Sequence, residues 1–401
     1  MGVRKGDVVG VMAGNCQEHI DIFSSAARIG APVASMHATF TLDELCGALA
    51  SSTCKVLFIA TKIGKRDTSA LIEMAGRLCN EDSNLEHVIT IGEPQLWSET
   101  TNYQVWQTFL QRSESVFIDE ALLIHFAQLV SPTEPISLQF TSGTMGNPKL
   151  ATLTHFNILN NALFMGNAMD LCSRDVLCCP APLSHCSGLV VGFLNALVHG
   201  TMLVLPSQVF EAERTVDALV QERCTAIIGV PTMYLAELEV LKTRSLDKAF
   251  LRTGLIAGAN VAPALMERIY AELGAEAMLI AYGMTETGPI TFCFMDNEGY
   301  CYVSGRLKDI IIRGGQNIYP AEIEERLLQL PTIAEAVVVE IREWIRETLG
   351  RHKAPKHIFW VGVGNGLASI PKTGSGKPAK HELRKIALEL LQDINVGQAR
   401  L

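Results

Sequence analysis

The sequence predicts an α/β fold in which two doubly wound α/β subdomains form a large N-terminal domain and a small α+β C-terminal domain follows. Short apolar runs alternate with segments of helical periodicity, which is typical of a parallel sheet covered by helices. This alternation occurs twice along the chain, without a sequence repeat of fixed period. After residue 304 strand-like and helix-like segments mix in a smaller unit. We therefore expect domains at 1–304 and 305–401.

The first subdomain begins with an apolar strand at Val8–Met12 and a helix at 16–29, whose apolar residues recur on one face. Residues 41–44 read Thr-Leu-Asp-Glu, a capping box that predicts a helix extending to Ala50. The next predicted elements are a strand at 55–60, a helix near 69–79 and a strand at 87–91.

The second subdomain follows the same pattern. Its predicted strands, with helices between them, are 176–179, 202–205, 226–230, 255–257 and 278–282. The apolar stretch 189–205 resembles a membrane span in length, but Asn195, His199 and the Gly200-Thr201 pair interrupt it. We interpret it as a buried helix, a turn and a buried strand. The small unit has predicted strands at 310–312, 336–339 and 358–361 and helices at 321–329, 341–349 and 381–391.

Charge and cysteine usage narrow the function classes. A net charge of −9 without a basic block argues against nucleic acid or an anionic membrane surface as a partner, so a polyanionic small molecule would have to bind at a local site. Because the 189–205 stretch is interrupted, we expect no transmembrane segment. The 11 cysteines include no CxxC pair, which excludes a typical zinc or disulfide framework and favours reduced intracellular thiols. Residues 1–7 lead directly into the first strand, so no signal peptide is expected.

The strongest functional motif is Thr-Ser-Gly-Thr-Met-Gly-Asn-Pro-Lys at 141–149. Glycines let backbone N–H groups turn toward an anion, hydroxyls donate further hydrogen bonds, and a lysine supplies charge. The string fits neither a Walker A loop nor a dinucleotide fingerprint. A flexible turn is the alternative. The candidate phosphate ligands are Thr141, Ser142, Gly143, Thr144, Gly146 and Lys149.

Three further motifs are weak when taken singly. Residues 282–287, Tyr-Gly-Met-Thr-Glu-Thr, end a predicted strand, where α/β sheets bind ligands and where a carboxylate beside phosphates can hold Mg²⁺. Residues 305–309, Gly-Arg-Leu-Lys-Asp, and residues 371–377, Pro-Lys-Thr-Gly-Ser-Gly-Lys, could each be a solvated turn. A lysine on a glycine-flanked loop can also be carried into a site by a moving domain.

In this order the four motifs resemble the AMP-forming acyl-CoA synthetases of the adenylate-forming superfamily. The strings 182–185, 229–232 and 257–259 agree, and residues 311–324 are most similar to the medium-chain fatty acyl-CoA synthetase branch. The resemblance implies ATP-dependent activation of a fatty or related carboxylic acid to acyl-AMP, and transfer of the acyl group to coenzyme A. It makes 1–304 the AMP-binding large domain and 305–401 the lid domain.

The resemblance also implies roles for individual residues. The loop at 141–149 wraps the ATP phosphates, and Gly258, Tyr282 and Gly283 line the adenine and acyl pocket. Glu286 binds Mg²⁺ and Thr285 lies near the phosphate. In the smaller unit, Arg306 contacts the ribose, Lys308 is the hinge between the domains, and Lys377 bridges the acyl carboxylate and the α-phosphate.

His185 borders the acyl site in this resemblance, and a packed core histidine is the alternative. Its neighbour Cys186 suggests a Cys–His nucleophile, which we disfavour because side chains of adjacent residues rarely point at each other.

The chain departs from the family pattern in several places. It lacks the family's N-terminal start, a segment near 293–295 that carries a Thr-Gly-Asp motif, and a strand region near 339–341. Met145 and Leu150 stand where the family usually has Thr and Gly. We expect the gaps to expose apolar surface over 255–282 and to impair activity. Two alternatives stay open, and they are a non-catalytic nucleotide-binding remnant and an adenylation domain that loads a carrier protein.

The C-terminal tripeptide Ala399-Arg400-Leu401 resembles a peroxisomal address, with coincidence as the alternative. It predicts peroxisomal import through a receptor, and cytoplasm or mitochondrion is the alternative location.

Overall fold

The computed structural model describes residues 1–79, 83–93, 103–114, 120–141, 149–244 and 250–293, and after residue 310 the short pieces 311–313, 316–318, 327, 369–372, 379, 382–383 and 385–386. The fold in these residues consists of two largely parallel sheets with helices around them.

The first sheet lies in the N-terminal part of the chain. In chain order its strands and a short hairpin are β1 (Val8–Met12), β2 (Val33–Ser35), β3 (Cys54–Ala60), the hairpin β4 (Lys62–Ile63) and β5 (Arg66–Asp67), β6 (His87–Ile91), β7 (Tyr103–Val105), β8 (Pro135–Thr141) and β9 (Lys149–Thr154). The sheet order is β7-β6-β3-β1-β2-β8-β9, and all neighbours are parallel except β8 and β9. Its helices are α1 (Gln17–Arg28), α2 (Leu42–Ser52), α3 (Ser69–Leu78), α4 (Trp106–Glu114), α5 (Glu120–Gln128) and α6 (His155–Ala168).

The second sheet repeats this design. Its strands are β10 (Val176–Cys178), β11 (Met202–Val204), β12 (Ala226–Gly229), β13 (Thr253–Ala257), β14 (Ala277–Gly283) and β15 (Ile290–Cys293), in the order β11-β10-β12-β13-β14-β15 with only β15 antiparallel. A π-helix at Ser187–Leu194 continues into α7 (Asn195–His199), and α8 (Ala212–Gln221), α9 (Pro231–Leu241) and α10 (Pro263–Arg268) follow, α10 continuing as a π-helix at Ile269–Leu273. A 3₁₀ turn spans Thr285–Thr287, and β16 (Ile311–Arg313) pairs antiparallel with β17 (Gln316–Ile318).

In both sheets the strand order reverses beside an early strand. In the first sheet the chain runs from β1 to β2 on one side and to β3 on the other, and in the second it runs from β10 to β11 and then to β12. Ligands of open α/β sheets bind outside the carboxyl ends of the strands at such reversals. The topology therefore indicates the carboxyl ends of β1 and β10 as the places to look for a site.

One hydrophobic core joins the two subdomains. The cluster around β1, β2 and β3 includes Met12 and Leu57 and extends to Leu189 and Phe193 of the π-helix that follows β10. Phe23 of α1 contacts Phe193 edge to face, with ring centroids 6.3 Å apart. Because these side chains share one core, the two sheets are held in a defined relation to each other.

A charged cluster lies at the amino ends of the strands in the second sheet. Asp175, just before β10, accepts hydrogen bonds from Thr225 Oγ1 at 2.7 Å and from Arg252 Nε at 2.9 Å. Burial opposes ionisation of Asp175, but the hydrogen bonds from Arg252 and Thr225 outweigh it and hold the pKa of the carboxyl well below its usual range. This cluster thus fixes the amino ends of β10, β12 and β13 relative to one another.

Most elements predicted from the sequence are confirmed. All the strands expected in the two subdomains are present, with ends shifted by at most two residues, and α1, α2 and α3 lie where helices were expected. The capping box is present, because Glu44 N donates to Thr41 Oγ1 at 3.3 Å and Thr41 N donates to Glu44 Oε2 at 2.7 Å. Of the smaller unit, the strand expected at 310–312 matches β16, and the other predicted elements lie essentially outside the described residues.

The interpretation of 189–205 is right in order and partly wrong in burial. A helix, a turn at Gly200 with φ of +65° and strand β11 follow each other as expected. Leu197 is nevertheless 61% exposed and Met202 is 60% exposed. For Met202 the reason is topological, since β11 lies at the edge of its sheet and has a neighbouring strand on one side only, whereas Leu197 lies on α7, before the turn. Among the described helices, none is both long and apolar enough to cross a membrane.

Candidate functional site

The candidate site lies at the carboxyl edge of the second sheet. Strands β10, β12, β13 and β14 are parallel, so the segments that follow them emerge on the same side. These segments carry most of the described residues that the motifs single out.

Two glycines shape this edge. Gly258, directly after β13, has φ of +91°, a backbone conformation that a side chain would strain. A Cβ on Gly283 would lie 1.9 Å from the backbone oxygen of Pro289, so only glycine permits β15 to approach β14 this closely. Tyr282, which precedes Gly283, keeps its ring partly exposed at the same edge.

The 3₁₀ turn after β14 presents two of the predicted residues. Thr285 is half-buried, and its Oγ1 lies 3.6 Å from Cys186 Sγ on the turn after β10. Glu286 is exposed at the turn. A carboxylate in this position is accessible to a ligand at the carboxyl ends of these strands. We call the space between these ends and the carboxyl ends of β2 and β8 the cleft. Within the described part of the chain, no cluster of three or more His, Cys, Asp or Glu side chains could hold a metal ion by protein ligands alone.

His185 has a defined tautomer. Its Nδ1 accepts a hydrogen bond from the backbone N–H of Ser187 at 3.1 Å and lies 2.9 Å from Ser187 Oγ. Because a backbone N–H can only donate, Nδ1 is unprotonated and the ring proton of the neutral imidazole is on Nε2. The side chain is half-buried, so it is not a fully packed core histidine.

The expectation that Cys186 and His185 point away from each other is wrong. Cys186 Sγ lies 3.6 Å from His185 Nδ1, because the turn before the π-helix brings both side chains to one side. The nucleophile interpretation gains nothing from this contact. The Nδ1 lone pair already accepts from Ser187, so it is not placed to take the thiol proton, and Cys186 is only 2% exposed.

His37 lies beside the candidate site and is not part of any of the motifs. It follows β2, and its Nε2 donates a hydrogen bond of 3.1 Å to the backbone oxygen of Phe140, directly before the predicted phosphate loop. Its ring centroid lies 6.5 Å from that of His185. Burial lowers the pKa of His37, which favours the neutral ring. Arg66 holds the adjacent segment by donating to Phe40 O at 2.5 Å.

The phosphate loop itself lies outside the described residues, but its two ends are described. Thr141 ends β8 and pairs with Lys149, which begins β9. Thr141 Oγ1 donates a long hydrogen bond of 3.4 Å to Lys149 O, and β9 packs beside the 3₁₀ turn that carries Thr285. The motif residues outside the described part of the chain are Ser142, Gly143, Thr144, Gly146, Arg306, Lys308 and Lys377.

A continuous series of contacts therefore crosses the cleft. It runs from Phe140 to His37, from His37 to His185, and from Cys186 to Thr285. The structure thus brings together the strand before the phosphate loop, the turn after β10 and the turn after β14, which are far apart in sequence.

Comparison with known proteins agrees with this arrangement. Residues 1–308 match the family described as AMP-binding enzyme. The acyl-CoA ligase sidI of Aspergillus fumigatus is 35% identical over 502 residues, covering 98% of this chain and 84% of the relative. A mitochondrial medium-chain acyl-CoA ligase of Danio rerio is 27% identical, covering 96% of this chain and 80% of the relative.

Among solved structures, the anthranilate CoA ligase AuaEII in complex with anthranoyl-AMP has the same fold. The TM-score is 0.79 at 19% identity, and the match covers 97% of this chain and 89% of that one. The family model matches residues 1–308, and the alignment with the Aspergillus fumigatus ligase covers 98% of the chain. This chain therefore belongs to the AMP-binding enzymes and, within them, to the AMP-forming acyl-CoA ligases.

Proposed function

We propose that the cleft bordered by the carboxyl ends of β2 and β8 and by the turns after β10, β13 and β14 binds a medium-chain fatty acid or a related carboxylic acid together with ATP, and converts them to acyl-AMP. The supporting observation is the series of contacts that joins the base of the phosphate loop to His185, Cys186 and Thr285. One cleft can therefore hold the phosphates and the acyl carboxylate within reach of each other, which a condensation between the two requires.

The residues divide this cleft into two sides. The turn at His185 and Cys186, together with Gly258, borders the acyl group. Tyr282 offers an exposed ring on which adenine can stack, and the loop at 141–149 takes the phosphates. A chain-length preference for medium acids is suggested by the Danio rerio relative, whose name specifies a medium-chain ligase.

Glu286 is the residue that would hold Mg²⁺. Mg²⁺ commonly binds through one or two carboxylates together with substrate phosphates, so a single accessible carboxylate beside Thr285 fits this ion without further protein ligands. The ion would neutralise phosphate charge. The residues of the chain supply the rest, namely orientation by the turns and, following the family pattern, positive charge from Lys149 and Lys377.

The proposed reaction has two steps. The acid carboxylate attacks the α-phosphorus of ATP, and the bond to the β-phosphate oxygen breaks with release of pyrophosphate. The thiol of coenzyme A then attacks the acyl carbon and AMP leaves. Following the family pattern, Arg306 contacts the ribose and the small domain turns about Lys308 between the steps.

An assay with ATP, coenzyme A and a panel of acids tests this proposal by mass spectrometry. We expect acyl-AMP, acyl-CoA and pyrophosphate with medium-chain acids. Release of pyrophosphate without acyl-CoA would count against the thioester step, and absence of all three products with every acid would contradict the proposed reaction for this chain.

A second candidate function is binding of the same ligands without turnover. Its specific support is that the alignment with the Aspergillus fumigatus relative spans 502 residues, whereas this chain has 401. About a hundred aligned positions therefore have no counterpart here, and the sequence contains no Thr-Gly-Asp.

Calorimetry with ATP, run beside the product assay, separates the two candidates. Binding without products supports the second. A matched protein that carries the relative's extra segments should then recover acyl-CoA formation, and equal turnover by the two proteins would contradict the second candidate.

A further inference from the structure

A buried asparagine in the first subdomain holds the turn that carries His185 and Cys186. Asn15 lies just beyond β1 and is 6% exposed. Its Nδ2 donates to Ala181 O at 3.0 Å, and its Oδ1 accepts from Leu183 N at 2.8 Å. Both polar atoms of one side-chain amide thus form hydrogen bonds with the backbone of a single segment of the second subdomain. A buried amide paired in this way fixes position in two directions at once.

The segment that Asn15 holds leads directly into the site. Leu183 is buried, and two residues later His185 N donates to Pro182 O at 3.0 Å, which closes a tight turn. The π-helix begins immediately afterwards, and Leu189 N donates to His185 O at 3.0 Å. With hydrogen bonds on both sides, the turn has little freedom to move independently of Asn15.

The backbone around Asn15 adds a second connection between the subdomains. Asn15 N donates to Gln208 O at 2.9 Å, beyond β11. At the preceding position, a Cβ on Gly14 would lie 2.6 Å from that same oxygen, so glycine is needed for the two chains to approach this closely. The connection lies where the strand order of each sheet reverses, at β1 and at β10.

We propose that Asn15 is a positioning residue for the acyl side of the cleft. It acts through the backbone at Ala181 and Leu183 and sets where Cys186 and His185 stand relative to Thr285. Loss of this link leaves the nucleotide side intact, since Tyr282, Gly283 and Glu286 are carried by β14 and its following turn. This inference rests on the proposed function, in which the turn at His185 and Cys186 borders the acyl group.

The test measures the acyl contribution to binding separately from the nucleotide contribution. The probes are AMP and octanoyl-sulfamoyladenosine, a non-hydrolysable mimic of octanoyl-AMP, both titrated by calorimetry into the full chain. We define the acyl increment as the Kd for AMP divided by the Kd for the mimic. Neither probe requires turnover, so the test applies to both candidate functions.

Two substitutions alter the link in different ways. Asn15→Asp keeps the size and the acceptor for Leu183 N but removes the donor to Ala181 O, and Asn15→Leu removes both. We expect Asn15→Asp to lower the acyl increment about tenfold and Asn15→Leu at least as much, while the Kd for AMP changes less than about twofold. The reason is that one buried hydrogen bond is lost in the first variant and two in the second, on the acyl side only. If Asn15→Leu does not fold, the comparison rests on Asn15→Asp.

Asn161 offers a matched control with the same chemistry elsewhere. From α6, its Nδ2 donates to Ile290 O at 2.7 Å and its Oδ1 accepts from Ile290 N at 3.2 Å, and Ile290 pairs with Gly283. Asn161→Asp therefore removes an equivalent amide link on the β14 and β15 side. We expect it to leave the acyl increment within about twofold of the unsubstituted protein.

Cys186→Met reports on the proposed site itself, since it enlarges a side chain at the acyl turn. If Cys186→Met changes the acyl increment and the Asn15 variants do not, the inference about Asn15 is overturned and the proposed acyl site stands. If none of these variants changes it, or if the unsubstituted chain binds neither probe, the proposed site and the inference both fail. Equal weakening of both probes by the Asn15 variants, with a lowered Tm, assigns Asn15 a purely structural role and overturns the inference.

Discussion

At the scale of single residues, one imidazole supports the strand that leads into the phosphate loop. His37 donates from Nε2 to Phe140 O, and it faces His185 across the cleft. Since β2 and β8 are neighbours in the sheet, this hydrogen bond continues their pairing beyond the end of β2. The end of β8, which leads into the predicted phosphate loop, is thus held by a side chain 103 residues earlier in the chain.

We expect His37→Leu to weaken ATP binding about tenfold, because the donor to Phe140 O is lost and the strand before the loop gains freedom. AMP, which lacks the β- and γ-phosphates, should lose less affinity. His37→Gln retains an N–H donor and should recover part of the loss, and His125→Gln on the exposed helix α5 is the control. Calorimetry with the two nucleotides checks this, and an equal loss for ATP and AMP would contradict it.

A buried carboxyl in α9 makes stability depend on pH. Glu237 is fully buried with neither carboxylate oxygen hydrogen-bonded, and burial raises its pKa from 4.5 to about 8. The folded state therefore binds a proton that the unfolded state releases above pH 4.5. The stability that Glu237 contributes is fully present below that value and is lost as the pH rises toward 8, by roughly 3 kcal/mol between pH 4 and pH 7.

We expect Glu237→Gln to remove this pH dependence. Urea unfolding of the variant between pH 5 and pH 8 should give a free energy of unfolding that exceeds that of the unsubstituted protein increasingly as the pH rises. Glu222→Gln, at an exposed position after α8, is the matched control and should leave the profile unchanged. If the free energy of unfolding changes with pH in the same way for the unsubstituted protein and for Glu237→Gln between pH 5 and pH 8, Glu237 is not a buried neutral acid.

At the scale of elements, α6 presents an unexpected apolar face to solvent. Phe156, Leu159, Leu163 and Phe164 recur at helical spacing and are exposed, Phe164 to 66%. The sequence led us to expect exposed apolar surface over 255–282, and that expectation is confirmed only in part. Tyr270 and Tyr282 are exposed, whereas the larger aliphatic side chains of the stretch are buried or half-buried.

An exposed apolar stripe of this kind favours association of the chain with itself or with other proteins. We expect Phe156→Gln together with Phe164→Gln to raise the concentration at which light scattering begins, with the free energy of unfolding changed by less than about 1 kcal/mol. Ile158→Gln, on the buried face of the same helix, should instead destabilise the protein by several kcal/mol. Unchanged scattering in the double variant would show that this face does not drive association.

How far the sequence predicts an element depends on how local its determinants are. The helix after Thr41 was predictable because its capping box lies within four residues. The strand Val33–Ser35 was not, because three residues are too few to show a periodicity, and His37 was missed with it. Asn15 was missed for a related reason, since its hydrogen-bond partners lie 166 and 168 residues away and no local pattern records them.

At the scale of the whole molecule, the two sheets form a cleft whose walls come from different subdomains. The first sheet contributes β1 with Asn15, β2 with His37 and β8, and the second contributes the turns after β10 and β14. The contact between Phe23 and Phe193 and the hydrogen bond from Asn15 hold these walls in a fixed relative position. The residues of the second wall could be predicted from the family motifs, whereas those of the first wall became apparent only from the order of the strands in the sheet.

A groove elsewhere provides a rival location for an acyl chain. It has about 380 Å³ and lies between α1, the π-helix, α7 and β11, lined by Gln17, Ile20, Phe193, Leu197 and Leu203 among others. Its lining is largely apolar, but the turns at Cys186 and Thr285 do not border it. An acyl chain in this groove would not contact the turns at Cys186 and Thr285.

The most direct test of the central claim is therefore to locate the bound acyl group. An octanoyl-sulfamoyladenosine with a diazirine in its acyl chain is irradiated on the full chain, and the labelled residues are mapped by tandem mass spectrometry. The account predicts labels within 183–189, 257–259 and 282–286, suppressed by excess unmodified mimic. Competable labels on Gln17, Ile20, Leu197 or Leu203 instead would contradict it, because the acyl group would then lie in the groove beside α1 and not in the cleft between the two sheets.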